Sequence, residues 1–119
     1  MGLKRVVRGL TATVEELERE RLAGRFAHLE IDTERLDRCP LRCPVRVAGE
    51  VTGLRLVPRA GGPWLEISVS DGVGEAVAVF TGRRRIPGLG PGRAVVLEGV
   101  ARRERQRLVL HNPAYTLLV

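Results

Sequence analysis

Leu65-Glu66-Ile67-Ser68-Val69-Ser70, then Asp71-Gly72-Val73-Gly74, then Glu75-Ala76-Val77-Ala78-Val79-Phe80 is the stretch on which the reading of this 119-residue chain turns. The first six residues alternate apolar and polar, the period of two that a half-buried strand imposes. The middle four hold two glycines that tolerate positive φ, behind an aspartate able to bond its own backbone, which is the chemistry of a tight hairpin turn. The last six return as a second strand. With Trp64 at its head, the hairpin pairs a strand over 64–70 with one over 75–80. Leu65, Ile67 and Val69 share one face; Trp64, Glu66 and Ser68 share the other.

Working outward, Val45, Val47 and Val51 alternate with Arg46, Ala48 and Glu50, which predicts a longer strand over 44–57. Pro58 and Arg59-Ala60-Gly61-Gly62-Pro63 cannot continue a ladder and form a loop. Residues 81–92 hold four glycines, two prolines and three arginines and read as a crossing loop. A fourth strand over 93–102, a turn at Glu104-Arg105-Gln106 and a fifth strand over 107–111 follow, closed by Asn112-Pro113. Gly49 and Gly99 fall inside the first and fourth strands, where a glycine is unfavourable unless the backbone must bend, as at a barrel corner. A long first strand, a hairpin second pair and a crossing before the fourth fit one mainly β plan: a five-stranded Greek-key OB-fold barrel over 44–119.

Residues 1–43 read differently. Thr13-Val14-Glu15-Glu16 fits a capping box at a helix start, and Val14, Leu17, Leu22, Phe26 and Leu29 fall on one half of the wheel. The predicted helix weakens at Gly24 and ends near His28. Residues 30–43 form a connector, so the expected organisation is an N-terminal helix and connector (1–43) followed by the barrel.

Charge narrows the function. Twenty basic residues against 14 acidic ones give a net +6, and nineteen of the twenty are arginine. The surplus concentrates in 44–119, which holds eleven basic and six acidic residues. Such a surface attracts polyanions, nucleic acid first among them, although arginine bias also follows genome base composition. No apolar run approaches the ~18 residues of a membrane span, and no signal or lipidation pattern heads the chain, so a cytoplasmic protein with no membrane partner is expected.

The pieces Val47-Ala48-Gly49-Glu50-Val51, Leu65 to Gly74, Phe80-Thr81-Gly82, Pro91-Gly92 with Val95-x-Leu97-x-Gly99, and His111-Asn112-Pro113-Ala114-Tyr115 resemble bacterial OB-fold nucleic-acid-binding domains. Over about 44–115 their order is similar to the DNA-binding wedge domain of RecG-type helicases. Over nearly the whole chain it resembles small stand-alone actinobacterial OB proteins, with the Gly82-Arg83-Arg84-Arg85-Ile86-Pro87-Gly88 loop and an N-terminal helix. The resemblance implies a ligand across the second and third strands, flanked by the first and last hairpin loops.

Carried onto this chain, that surface has Arg55, Arg59 and Trp64 on one side and Arg102, Arg103, Arg105 and Arg107 on the other. Ser68 and Phe80 lie between them on an outward face, provided Val77 and Val79 point into the barrel. Arginines can hold phosphates bidentately, and Trp64 and Phe80 can stack on bases or else close the barrel ends. Glu66 on the same face repels phosphate. With only Phe26, Trp64, Phe80 and Tyr115 aromatic, any affinity rests on backbone contacts and is salt-dependent. Arg83, Arg84 and Arg85 form a second basic cluster. The expected function is binding of single-stranded or branched nucleic acid, DNA or RNA; the alternative is a protein-interaction adaptor that docks or self-associates through the barrel or the helix.

Chemistry is otherwise sparse. Cys39 and Cys43 are spaced like one half of a zinc site, but no second pair accompanies them and only His28 and His111 could add imidazoles, so they read as structural thiols. No phosphate-cradling glycine loop with its lysine, nucleophile elbow or metalloprotease helix motif is present. No catalytic residue and no cofactor is expected.

Overall fold

β1 (Pro44–Val57) is long enough to pair twice, and that closes the sheet. Its first half, from Pro44 to Glu50, runs antiparallel to β4 (Ala94–Glu104); its second half, from Glu50 to Val57, runs antiparallel to β2 (Trp64–Ser70). The switch occurs beside a break in register between Val51 and Gly53, the local twist that a bulge supplies at a barrel corner. A Cβ on Gly49 would stand 3.0 Å from that of Val69, so the bend depends on a residue without one. β3 (Glu75–Thr81) pairs with β2 antiparallel and with β5 (Arg107–His111) parallel, and β5 returns to β4. The circuit β1-β2-β3-β5-β4-β1 is therefore a closed five-stranded barrel, the OB-fold arrangement. The computed structural model describes residues 3–118, with side chains from Thr13 onward.

One strand was not anticipated. β6 (Ala114–Leu117) continues beyond Asn112-Pro113 and pairs with Val95–Glu98 of β4. Asn112 adopts φ 48° and its side-chain oxygen accepts from the Thr81 amide at 3.0 Å, so the chain pivots there and then resumes the ladder.

The core is the barrel interior: Val47, Val51, Leu65, Ile67, Val69, Ala76, Ala78, Phe80, Val95, Leu97, Leu108 and Leu110 are all buried in one cluster. Ile86 and Leu89 from the crossing loop join it and close one end. Leu36, on a single 3-10 turn (Leu36–Arg38) within the connector, also enters it. The connector is held by backbone bonds from Glu34 N to Arg46 O and from Arg42 N to Ala101 O, both 2.8 Å. Asp71 is buried at the β2–β3 turn. It accepts from the Val73 and Gly74 amides through one carboxylate oxygen and from the Leu36 amide through the other, tying turn to connector.

α1 runs from Leu3 to Ala27, so Thr13-Val14-Glu15-Glu16 lies inside the helix rather than capping it. Nothing between Leu3 and Ala12 except Gly9 opposes helix, so initiation occurs upstream. The helix runs through Gly24 and ends at Ala27, next to the expected His28. Of the apolar half of the wheel, Leu22 is buried, whereas Val14 and Leu17 are 65% and 56% exposed. Docking relies instead on backbone approach and charge. A Cβ on Gly72, at φ +90°, would meet the backbone of Ala23 at 2.5 Å and of Arg19 at 2.6 Å. Arg21 holds Glu50 bidentately at 3.1 and 2.8 Å, and Arg25 donates to the same carboxylate and to the Gly92 carbonyl. These bonds, that from Arg21 first, hold the Glu50 carboxyl below its ordinary range.

Candidate functional site

In an antiparallel pair, directly opposed residues share a face. The β2–β3 register opposes Leu65 to Phe80, Ile67 to Ala78 and Val69 to Ala76, so all six point inward. Phe80 is 4% exposed and meets the exposed Tyr115 ring edge-on at 6.0 Å. The expectation that Phe80 lies on the outward face, with Val77 and Val79 inward, is therefore reversed, and Phe80 is a core ring. The sign was present in the turn: four residues between Ser70 and Glu75 oblige partners whose numbers sum to a constant, which pairs Phe80 with inward Leu65.

Outward, Val77, Val79 and Val109 form a second apolar cluster, and Trp64 packs against it, half-buried. The Arg59 guanidinium, from the β1–β2 loop, sits 4.4 Å over the Trp64 ring, and His111 meets that ring edge-on at 5.7 Å. Trp64 is thus both anchored and partly presented. Its guanidinium neighbour has the flat geometry on which a base can also stack. His111 in turn faces the Glu104 carboxylate at 3.0 Å.

Glu66 stands at the centre of the face and is 6% exposed. Arg107, at the head of β5, donates to it at 3.1 Å, and the Arg55 guanidinium lies 3.7 Å away, so one carboxylate gathers arginines from two strands. Two of the expected phosphate-binding side chains are therefore partly neutralised. Among the described residues, no carboxylate lies within ion-pair distance of Arg59, Arg102, Arg103 or Arg105.

The β4–β5 hairpin turns on Arg105 and Gln106, at φ 49° and 66°, the left-handed pair that a two-residue turn between twisted strands requires. It lifts its arginines clear of the barrel. Arg103 and Arg107 line a cleft of about 490 Å³ together with Ser68 and Val77, and Asp37 and Glu75 belong to the same lining. Arg102 and Arg103 also line a cavity of about 530 Å³ with Arg42, Leu41 and Val100. The structure thus brings Arg55, Arg59, Trp64, Ser68 and Arg107 to one surface, sets Arg102 on the same outward face opposite Val109, places Arg103, opposite buried Leu108, in the cleft at its edge, and leaves Arg105 at the hairpin tip. Val77, Val79, Val109 and His111 were missed by sequence reasoning and belong to this surface.

Cys39 and Cys43 are free thiols packed against the core, and burial pushes the Cys39 thiol up from its ordinary pKa. Among the described residues, no helix is long and apolar enough to cross a membrane.

No protein-family model matches the chain, and no curated protein does. Solved structures do. The chain is similar to one in the structure of RecG bound to a three-way DNA junction, with a TM-score of 0.53 and 14% identity, covering 71% of this chain and 13% of that one. It also matches a chain of a replication protein A heterotrimer bound to single-stranded DNA (TM-score 0.48, 13% identity, 64% of this chain and 57% of that one). A third match is the S. pombe Stn1–Ten1 complex (TM-score 0.48, 17% identity, 63% and 57%). At 14% identity the likeness to the RecG chain shows the fold alone, in agreement with the closed five-stranded circuit.

Proposed function

We propose that this protein is a non-catalytic OB-fold module that binds single-stranded or branched nucleic acid across the outward face of β2, β3 and β5. Arg59 on Trp64 would take a base, and Arg55, Arg103, Arg105 and Arg107 the phosphates beside it. The observation that carries this reading is the Arg59–Trp64 stack on the same face as Arg107, next to an arginine hairpin whose Arg103 and Arg105 have, among the described residues, no carboxylate within ion-pair distance. Cation and flat ring together are what sequence-tolerant strand binding needs. Support also comes from the RecG match, whose structure holds a DNA junction. The likeness to small stand-alone actinobacterial proteins and a cytoplasmic setting belong to the same proposal.

Titration of fluorescein-labelled single-stranded DNA and RNA at low and moderate salt tests it. Affinity falls as salt rises, and Arg103→Ala with Arg105→Ala weakens binding and flattens the log–log salt slope by about 0.7 for each single-strand phosphate no longer neutralised. Absence of binding even at low salt refutes it and favours an adaptor. The adaptor reading has one observation of its own: Val14 and Leu17, exposed side by side on α1.

A further inference from the structure

α1 carries a pattern whose described positions its own barrel does not use. In sequence, Leu3, Val7, Leu10, Val14 and Leu17 recur at intervals of four, three, four and three, the heptad spacing of a two-stranded coiled coil rather than the 3.6 of a helix lying on a globular core. The helix spans all five positions, and at the two whose side chains are described the seam is open to solvent, Val14 at 65% and Leu17 at 56%. Every residue from Thr13 to Arg21 is exposed. Contact with the barrel begins at the Arg19 carbonyl and continues through Arg21, Leu22 and Ala23, beyond both Val14 and Leu17.

Charge selects the occupant of that seam. Residues 3–12 contain Lys4, Arg5 and Arg8 and no acid, whereas 13–20 contain Glu15, Glu16, Glu18 and Glu20 against Arg19 alone. The helix is a rod of +3 followed by −3. Two copies side by side and parallel oppose like to like; two copies antiparallel oppose each positive half to a negative one. We propose that α1 pairs with α1 of a second copy as an antiparallel two-stranded coiled coil. In that register helix position 10 lies opposite 14 and position 7 opposite 17 of the second copy, with positions 4 and 18 flanking the seam.

The pairing is isologous, the commonest symmetry of homodimers, and it closes without leaving a seam for a third chain. Because each barrel attaches near Leu22, the two barrels hang at opposite ends of the rod, about 30 Å apart along it at 1.5 Å per residue. The proposal is independent of what the barrels bind.

Sedimentation equilibrium on the full chain tests it, with circular dichroism melting as a folding control. The wild type is expected at twice its 13.1 kDa mass, and Val14→Glu with Leu17→Glu at 13.1 kDa with cooperative melting retained, lowered only by the lost association, since both positions are exposed in the single copy. Lys4→Glu alone or Glu18→Lys alone weakens the dimer, about two- to fivefold for each flanking pair removed, and the double exchange restores it. A wild type that stays at the single-copy mass at several hundred micromolar overturns the proposal. So does a dimer indifferent to Val14→Glu with Leu17→Glu. Failure of the double exchange to restore association overturns the antiparallel arrangement, because in a parallel pair Lys4 and Glu18 stand about 21 Å apart along the axis.

Discussion

Replacing Glu66 with Gln isolates what the central carboxylate does on the outward face. Glu66 is buried and draws Arg107 at 3.1 Å and Arg55 at 3.7 Å, while those two arginines keep side-chain exposures of 46% and 70%. Gln keeps the shape and one acceptor for Arg107 but removes the charge. For a phosphate about 6 Å from Glu66, the repulsion removed is about 0.7 kcal/mol in bulk water and about 3 kcal/mol at an effective dielectric of 20. Those limits bracket a gain of roughly threefold to a hundredfold in affinity, with about tenfold expected at 50 mM salt. Two released arginines also steepen the single-strand salt slope by up to about 1.4. Stability falls by only about 1 kcal/mol, because the ion pairs removed are partly exposed. Fluorescence anisotropy of a labelled oligonucleotide across a salt series reads both quantities, and thermal melting reads the fold. If Glu66→Gln melts as a folded protein yet binds no tighter, phosphates do not approach this face and the reasoning fails.

Two further predictions concern how α1 is held. Gly72→Ala places a Cβ against the α1 backbone at a residue with φ +90°, so melting should fall by about 2 kcal/mol or more, roughly 8 °C, and hydrogen exchange around Leu22 should quicken. An unchanged melting point would show that α1 does not dock on that turn. Glu50 is held below its ordinary pKa by Arg21 and Arg25, so its contribution is present above the unfolded value near 4.3 and is lost as pH falls through the lower folded value. Melting followed from pH 6 to pH 3 should therefore decline more steeply in the wild type than in Glu50→Gln; parallel profiles would remove Glu50 from the docking account.

Much of the barrel could be read without coordinates. Period-two alternation within β1 and β2, the Asp71–Gly74 turn and the breaker residues at Pro58–Pro63 are local signals, and the first two strands occupy the expected 44–57 and 64–70. Local signals also determined the chemistry available, an arginine surplus with few aromatic rings. Which side chains meet was decided by pairing across the sheet. Phe80 turned inward because the hairpin register placed it opposite Leu65, and Arg55 and Arg107, 52 positions apart, converge on Glu66 only once the first and fifth strands flank the same face. The start of α1 was misplaced because a capping-box sequence is equally comfortable inside a helix, and β6 was missed because a proline beside a left-handed asparagine interrupts a strand without ending its ladder. Alternation and turn chemistry are encoded within a few neighbouring residues, whereas the neutralisation of a charge or the burial of a ring depends on which distant strand arrives beside it.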